Sequence, residues 1–365
     1  MAGKLQKLRI LLRPFSLLYG IGVWIRNLLF DGGLLPTEHY EEPVICVGNL
    51  AVGGSGKTPM VEYLIRLLQG TYRVGVLSRG YRRETSGFVW VDSESTAQTV
   101  GDESCQIKYK YPQTIVAVDE NRRRGIRKLL SLPEDQRPQV ILLDDGFQHR
   151  YVQPSFSILL TGFHHLYYTD QLLPAGRLRE PASAARRANI IVVSKCEKSL
   201  SSIESRIIRM ELRLKSHQSL FFSSISYLPL KGVFSEAYLP DTPDTLLGED
   251  GVLLLTGIAT PALLIAEIRT RAKRTNMLSF ADHHAFRPKD IRKIQMELKK
   301  MKPGNPPILC TEKDAARIRN NPYFPEEWRS RMYYVPIEIE ILFNNGEQFN
   351  ELVLRHIYLF KHSKI

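Results

Sequence analysis

The chain has 365 residues, of which 43% are hydrophobic and 24% charged, so it is long enough to form two folded domains. Its 50 lysines and arginines outnumber its 38 aspartates and glutamates by 12, an excess that favours anionic partners such as nucleic acid, an anionic membrane or a phosphorylated substrate. Its four cysteines lie far apart and form no CxxC pair, which argues against a zinc site and against a disulfide framework.

The first 30 residues form a basic, apolar segment with five basic side chains and no acidic one. Its uncharged stretch, residues 14–25, has 12 residues, whereas a helix that crosses a bilayer needs about 20. No small-residue cleavage site follows, which argues against a signal peptide. The pattern therefore predicts that residues 1–30 form a helix in the membrane interface, with basic residues meeting anionic headgroups. The alternative, a helix packed on the protein's own core, stays open.

Residues 48–59 read Gly-Asn-Leu-Ala-Val-Gly-Gly-Ser-Gly-Lys-Thr-Pro, a sequence typical of a phosphate-binding loop, although Ala51 stands where glycine is usual. An apolar, β-branched strand at 43–47 precedes it, and a helix with one apolar face follows it. This context favours a nucleoside triphosphate site over a glycine-rich turn without a ligand. In such a site backbone N–H groups surround an anion, the lysine reaches the β- and γ-phosphates, and the hydroxyl holds Mg²⁺. The residues concerned are Gly53, Gly54, Ser55, Gly56, Lys57 and Thr58.

Strand and helix signals alternate along the chain, which predicts an α/β fold of the P-loop NTPase type, with a mostly parallel sheet flanked by helices. We expect strands at 74–78, 114–118, 140–143, 157–160 and 189–193 and a basic helix at 121–130. A second region repeats the pattern, with strands at 252–255 and 308–311 and helices at 261–273 and 290–301. Turn formers at 237–251 indicate a linker near the boundary. The expected domains are the N-terminal interfacial helix, 1–30, the P-loop core, 31–230, and a smaller C-terminal α/β domain, 231–365.

Two acidic residues, Asp144 and Asp145, follow the apolar strand at 140–143. In nucleotide-loop enzymes a carboxylate at such a strand end supports Mg²⁺, and open parallel sheets bind ligands at the carboxyl ends of their strands. We therefore expect Asp144 and Lys57 to share one rim of the sheet. An acidic turn without a metal is the alternative.

Further candidate side chains are an acidic pair, two histidines and several arginines. Asp102 and Glu103 follow Gly101 in a polar stretch, and taken alone such a pair is ordinary on a protein surface. His283 and His284 are adjacent, so in an extended segment they point to opposite sides and joint metal binding is not expected. Arginines close to predicted strands offer forks suited to phosphate, and they include Arg79, Arg122 and Arg179.

Taken together, these segments resemble the tetraacyldisaccharide 4′-kinases of lipid A synthesis. The resemblance follows the family's order from near residue 10 to near residue 320 and includes the missing first loop glycine. Its segments are the basic, apolar N-terminus, 47–59, Ser78-Arg79-Gly80-Tyr81, Gly101-Asp102-Glu103, 144–149, 173–181, 256–259, Asp282-His283 and Thr311-Glu312-Lys313-Asp314. Small departures at Ser104, Phe147 and Arg177 bear on fine substrate preference rather than on the activity.

The resemblance implies an ATP-dependent kinase that phosphorylates the 4′-hydroxyl of a tetraacyldisaccharide 1-phosphate, an acylated lipid, to give lipid IVA at the cytoplasmic face of the bacterial inner membrane. It implies that ATP is the co-substrate, that Thr58 and Asp144 bear on Mg²⁺, and that Lys57 holds the phosphates. Asp102 is then the base that accepts the hydroxyl proton, oriented by His283. The other implied site residues are Asp145, which is catalytic, and Arg79, Glu103, Arg122, His149, Arg179 and Glu180, which bind the substrate. Because Asp102 and His283 lie in different expected domains, we expect a cleft that closes over the site.

Two other classes of protein remain as alternatives. A regulatory or metal-chaperone P-loop ATPase or GTPase often carries Lys directly before the Gly-Gly pair, where this chain has Val52, and Ser194-Lys195-Cys196 does not meet the guanine-reading Asn-Lys-x-Asp pattern. A nucleic-acid-binding NTPase suits the net charge, but the chain shows no basic-aromatic groove pattern, and part of the basic excess lies in the apolar N-terminus. We therefore expect no nucleic-acid partner.

Overall fold

Nine strands form a mostly parallel sheet. The computed structural model describes residues 2–240, 242–247, 251–301 and 305–363. The sheet contains β1 (Val44–Asn49), β2 (Val74–Ser78), β3 (Val89–Val91), β4 (Ile115–Val118), β5 (Val140–Asp144), β6 (Phe156–Gly162), β7 (Ile190–Ser194), β8 (Ser219–Tyr227) and a late strand, Ile337–Ile341. Across the sheet the order is late strand, β8, β7, β6, β1, β5, β2, β4, β3, and its two edge strands are antiparallel to their neighbours. The expected α/β fold with a mostly parallel sheet is confirmed.

Helices cover both faces of this sheet. Its apolar central strands, such as β1 and β5, are therefore buried on both sides. The helices are α1 (Ala2–Asp31), α2 (Lys57–Leu68), α3 (Ala97–Val100), α4 (Asp102–Lys110), α5 (Arg122–Leu130) and α6 (Ser202–Leu212), with short 3-10 turns at Tyr167–Thr169 and Ala182–Arg187. Helix α2 buries the apolar face predicted from its spacing, including Val61, Leu64 and Ile65. This packing fixes the start of α2 at the carboxyl end of β1, where the phosphate loop lies.

A second, smaller sheet follows in the chain. Its strands are β9 (Lys231–Gly232), β10 (Val252–Thr256), β11 (Thr275–Ser279), β12 (Ile308–Thr311) and β13 (Met332–Val335), in the order β11-β10-β12-β13-β9. All neighbouring pairs are parallel except β13 with β9. The accompanying helices are α7 (Ala262–Arg271), α8 (Pro288–Lys300), α9 (Glu312–Ile318) and α10 (Glu326–Arg329).

The last part of the chain returns to the first sheet. The late strand, β14 (Ile337–Ile341), pairs with β8, and α11 (Gly346–His362) buries Phe349, Val353 and Ile357 against the first core. The sequence expectation placed all of residues 231–365 in the second domain, so the structure corrects it for this C-terminal segment. Of the expected linker at 237–251, residues 241 and 248–250 lie outside the described residues, and Pro243–Leu247 forms a 3-10 turn.

Helix α1 packs on loops that follow β5 and β6, and it also exposes apolar side chains. Ser16 Oγ donates to Leu172 O at 3.0 Å, and an Arg150–Asp31 ion pair of 2.6 Å joins the end of the helix to the chain after β5. Many apolar residues of α1 remain exposed, namely Ile10, Leu11, Phe15, Leu17, Leu18, Ile21, Trp24, Ile25 and Leu28. The side chains of residues 2–9, with three of the five basic groups, lie outside what the structure describes. Within the described part of the chain, no helix has the length and apolar content needed to cross a bilayer.

Candidate active site

The phosphate loop occupies the turn between β1 and α2. Gly53 and Gly56 have φ values of 113° and 84°, in the left-handed region that favours glycine. Helix α2 begins directly after Gly56, at Lys57, so its first N–H groups point into the turn. Thr58 is buried in the first turn of the helix. The residues predicted to bind a nucleotide therefore form a glycine turn that leads directly into the N-terminus of a helix.

Neighbouring strands hold the loop in this shape. Ser194, the last residue of β7, donates its hydroxyl to Ser55 O at 2.7 Å. On the other side, Arg179 N donates to Leu50 O at 2.7 Å. Two independent contacts therefore fix the loop backbone before any ligand binds, which lowers the entropic cost of binding.

Asp145, the residue after Asp144, lies beside Lys57. Its Oδ1 is 3.6 Å from Lys57 Nζ and its Oδ2 is 3.1 Å from Arg179 Nη1. The backbone of Asp145 has a φ of 52°, which turns its side chain away from the line of strand β5. The sequence places no basic residue next to the two aspartates, but folding brings two cations to Asp145. The pKa of this carboxyl is lowered, because Lys57 and Arg179 outweigh the effect of burial.

Asp144, the last residue of β5, is buried, and neither of its carboxylate oxygens has a hydrogen-bond partner among the described residues. Burial raises its pKa to about 7, and the negative charge of Glu103 adds to this effect. Orphaned buried oxygens of this kind are rare and suit a hard cation, because Mg²⁺ prefers carboxylate, hydroxyl and water oxygens. The donor set of Asp144 and Thr58 therefore fits magnesium.

Arg122 is buried, and His149 is half-buried. The Arg122 guanidinium is 2% exposed and donates to the backbone oxygens of Asp119 and Asp144, so it supports the end of β5. Burial lowers the pKa of Arg122 to about 10. Burial, with the adjacent Arg122 cation, lowers the pKa of His149 to about 4, so this imidazole is neutral near pH 7. Their expected contact with substrate stays a prediction.

Asp102 lies at the N-terminus of α4, after Gly101, whose φ is 84°. Its Oδ1 accepts a hydrogen bond of 2.9 Å from Glu103 N. Its Oδ2 lies 2.8 Å from His283 Nδ1 and accepts a hydrogen bond of 2.9 Å from Arg317 Nε. Burial alone raises the pKa of Asp102, but the His283 hydrogen bond and the Arg317 charge outweigh it and hold this pKa well below its usual range. The predicted pairing of Asp102 with His283 is therefore present in the structure.

Helix α9 of the second sheet brings two cations to this acidic pair. Lys313 forms an ion pair with Glu103, and Arg317 Nη1 also donates to Asp314 Oδ1 at 2.9 Å. Asp314 in turn accepts a 2.7 Å hydrogen bond from Thr311 Oγ1, at the start of α9. The family resemblance includes Thr311-Glu312-Lys313-Asp314, but it gave these residues no role. Arg317 was not predicted from the sequence.

The remaining predicted residues, Arg79 and Glu180, have different surroundings. Arg79 follows β2 and is exposed in an open basic cleft. Glu180 is buried, forms an ion pair with Arg187, and lies 3.6 Å from Arg26 Nη1. Glu180 therefore connects α1 to the segment before β7, and its expected contact with substrate stays a prediction.

The loop after β10 links the two groups of residues. Gly257 O accepts a hydrogen bond of 3.1 Å from Arg317 Nη1, and the Cβ of Ala259 in the same loop is 4.0 Å from the Cβ position of Gly54 in the phosphate loop. The charges of Glu103 and Lys313 also act on the pKa of Asp144, in opposite directions. Such an arrangement can place a phosphate donor close to a hydroxyl acceptor.

Comparisons with known proteins give matches over nearly the whole chain. Residues 8–358 match a family model described as tetraacyldisaccharide-1-P 4′-kinase. A tetraacyldisaccharide 4′-kinase of Parabacteroides distasonis is 52% identical over 351 residues, which are 96% of this chain and 95% of that protein. One of Bacteroides thetaiotaomicron is 45% identical, over 95% of this chain and 92% of the relative.

A solved structure is similar over the same extent. The crystal structure of LpxK from Aquifex aeolicus in complex with ATP matches with a TM-score of 0.72 and 28% sequence identity. The match covers 96% of this chain and 100% of that one. Both sheets are therefore included in the likeness.

Proposed function

The chain belongs to the tetraacyldisaccharide 4′-kinase family, and we propose that its site transfers the γ-phosphoryl group of ATP to the 4′-hydroxyl of a tetraacyldisaccharide 1-phosphate. The product of this reaction is lipid IVA, an intermediate of lipid A synthesis. The observation that carries the proposal is that one loop, after β10, contacts both the phosphate loop and the arginine that holds Asp102 beside His283. A donor bound at the phosphate loop and an acceptor bound at Asp102 would react by direct in-line transfer, which needs no covalent enzyme intermediate.

On the donor side, the loop N–H groups and Lys57 bind the phosphates. Lys57 Nζ lies 3.6 Å from Asp145 and 3.4 Å from Asn49 Oδ1, and both partners keep its ammonium group in the loop. Thr58 and Asp144 hold Mg²⁺ through their oxygens. When bound, the metal neutralises charge on the transferring phosphoryl group. Arg179, which pairs with Asp145, adds a second cation close to the same position.

On the acceptor side, Asp102 receives the proton of the 4′-hydroxyl. Its two oxygens are fixed by Glu103 N, His283 and Arg317, so the carboxylate needs little reorganisation during the reaction. A carboxylate with a low pKa is a weak base. That suffices here, because a loose phosphoryl-transfer transition state requires little proton removal before the new bond forms.

The other proposed contacts belong to the substrate. Arg79 lies in the open cleft near His283 and offers a guanidinium to an anionic group. Glu103 is held by Lys313, and its negative charge raises the pKa of Asp144. Arg122 and Glu180 are buried and His149 is half-buried, and we assign all three to the support of these groups and of the bound disaccharide.

Helix α1 is the proposed contact with the membrane. Its exposed apolar residues suit the interface of a bilayer, where the acyl chains of the substrate remain. The helix is also tied to the site, because Tyr19 OH donates to Arg179 O at 2.8 Å and Arg26 lies near Glu180. We place the protein at the cytoplasmic face of the inner membrane, as a peripheral enzyme whose site opens next to the lipid surface.

The test is an assay with labelled ATP under three conditions: with the acylated disaccharide lipid, with water as the sole acceptor, and with nucleic acid. Wild-type protein should give a phosphorylated disaccharide lipid that depends on Mg²⁺, and Lys57→Ala, which removes the cation at the β- and γ-phosphates, should lose turnover by orders of magnitude. Release of free phosphate alone would indicate a regulatory ATPase. Hydrolysis of ATP stimulated by nucleic acid would indicate a nucleic-acid-binding NTPase. Either result, with no lipid product, would refute the proposal.

A further inference from the structure

Lys195 lies at the phosphate loop and has no role in the site described above. It follows the last residue of β7 and has a φ of 60°, an uncommon conformation for a lysine. A Cβ atom added to Gly54 would be 3.7 Å from Lys195 Nζ, so the ammonium group lies next to the loop backbone. The neighbouring Ser194 braces Ser55 of the same loop. The end of β7 therefore both supports the loop and places a cation beside it.

The ammonium group of Lys195 has no ion-pair partner among the residues that the structure describes, where its hydrogen bond is a 2.9 Å contact with Thr260 Oγ1. The negative charge of Asp282 raises its pKa, but burial and the charge of Lys313 outweigh this effect. The charges of Lys57 and Lys313 lie close enough to act on this ammonium group, and together with burial they lower the pKa of Lys195 to about 8.

Lys57 and Lys313 each have a carboxylate partner, Asp145 and Glu103, whereas Lys195 has none within ion-pair distance among the described residues. An anionic ligand at the loop would therefore compensate the charge of Lys195.

We propose that Lys195 contacts the phosphate chain of the bound nucleotide, and that Thr260 holds its ammonium group when the nucleotide is absent. The proposal rests on ATP binding by the phosphate loop and extends the set of side chains that bind it. A polyanion fits this position better than a neutral group does, because a hydroxyl does not compensate a partly buried ammonium charge.

Thr260 is suited to such a placeholder. It lies in the loop after β10, together with Ala259, whose Cβ is 4.0 Å from the Cβ position of Gly54. Thr260 is exposed, so giving up its hydrogen bond to Lys195 costs little. The second sheet therefore reaches the phosphate loop through this contact. A nucleotide that takes over Lys195 would exchange a neutral hydrogen bond for charge-assisted ones.

The test measures binding of ATP, ADP and adenosine to purified full-length protein by calorimetry, without lipid acceptor. Lys195→Met should weaken ATP and ADP binding by roughly tenfold or more, the scale of one charge-assisted hydrogen bond. Adenosine binding should not change, because adenosine has no phosphate. Lys195→Arg should restore most of the affinity, whereas Lys198→Met, at an exposed lysine three residues away, should bind like wild type.

Thr260→Val tests whether Thr260 holds the Lys195 ammonium group only in the absence of nucleotide or is needed for nucleotide binding itself. Loss of its hydroxyl should leave ATP affinity unchanged or higher, and a loss of affinity equal to that of Lys195→Met would refute the proposal. Equal ATP binding by wild type and by a folded Lys195→Met protein would also refute it. If wild-type protein binds no ATP, the proposed kinase function itself fails. Thermal unfolding of each variant shows whether it is folded, and if Lys195→Met is not, the Lys195→Arg and Thr260→Val results decide.

Discussion

Replacing Arg317 with methionine is expected to reduce stability and to shift the pH dependence of catalysis. The guanidinium lies between two buried carboxylates, with Nε donating to Asp102 Oδ2 at 2.9 Å and Nη1 to Asp314 Oδ1 at 2.9 Å. Methionine fills a similar length but donates no hydrogen bond. The substitution therefore leaves both carboxylates buried without their guanidinium partner.

The expected size of the effect follows from burial. The side chains of Arg317 and Asp102 are only 7% and 5% exposed, so solvent screens their interaction little. Loss of one partner from a buried ion pair typically costs about 3–5 kcal/mol of unfolding free energy. Asp102 keeps its contact with His283, and Asp314 keeps its hydrogen bond from Thr311. We therefore expect a loss of about 3 kcal/mol, at the lower end of that range.

The pH dependence has a definite sign. In the wild type the pKa of Asp102 is lower in the folded than in the unfolded state, so its contribution to stability is present above the unfolded pKa, about 3.9, and is lost as the pH falls through the folded pKa. Without Arg317 the folded pKa of Asp102 rises. The stability difference between the two proteins should then be largest near neutral pH and shrink in acid. The acid limb of kcat/KM should move to higher pH, because Asp102 becomes protonated sooner.

Urea unfolding at several pH values and a kinase pH profile measure the two effects. Arg319→Met is the matched control, because Arg319 stacks on Tyr109 and its removal leaves Asp102 and Arg317 paired. Arg317→Lys retains the charge without the fork and should give an intermediate loss. An Arg317→Met protein with the wild-type unfolding midpoint and an unshifted acid limb would refute the reasoning.

Three further predictions concern the metal, the membrane and the base. Asp144→Asn should lose activity that added Mg²⁺ restores only in part, because an amide is a poorer ligand for a hard dication. Full activity of this variant at low Mg²⁺ would contradict the metal assignment. Leu17→Gln with Leu18→Gln, at two positions that are each 67% exposed, should weaken sedimentation with anionic vesicles and leave turnover in detergent unchanged; undiminished sedimentation would assign membrane contact to another surface. Asp102→Ala and His283→Ala should each lower kcat by roughly a hundredfold or more, and the double variant should be little worse than the poorer single one. Multiplicative losses would mean that the two residues act independently.

The sequence alone predicted the phosphate loop, because its function depends on residues that are neighbours in the chain. Spacing within 43–68 defines a strand, a glycine turn and a helix, and the structure has all three. Asp144 could also be placed, since a residue at the end of a parallel strand lies at the same rim as the loop. The positions of the phosphate loop and of Asp144 therefore follow from short segments of the chain.

Contacts between distant residues were not predictable in this way. Arg317 and Asp102 are separated by 215 positions, and no periodicity links an arginine in α9 to an aspartate in α4. The pairing of Asp102 with His283 came from family resemblance rather than from the residues themselves. In the sequence, Lys195 belongs to a segment that does not match the guanine-reading motif, and nothing in that segment indicates a role for it. Its proximity to Gly54 depends on the order of strands in the sheet.

The return of β14 to the first sheet has a mechanical consequence. Ile337 pairs directly with Tyr227 of β8, so the chain leaves the first sheet and rejoins it at adjacent positions. The second sheet is thus an insertion attached through a two-stranded stem. A stem of paired strands resists twisting more than a single linker does, because rotation would break its backbone hydrogen bonds, and it leaves bending as the easier motion. A short turn joining the two ends could also close the first sheet without changing the order of its strands, so the inserted lobe is a separable module of the chain.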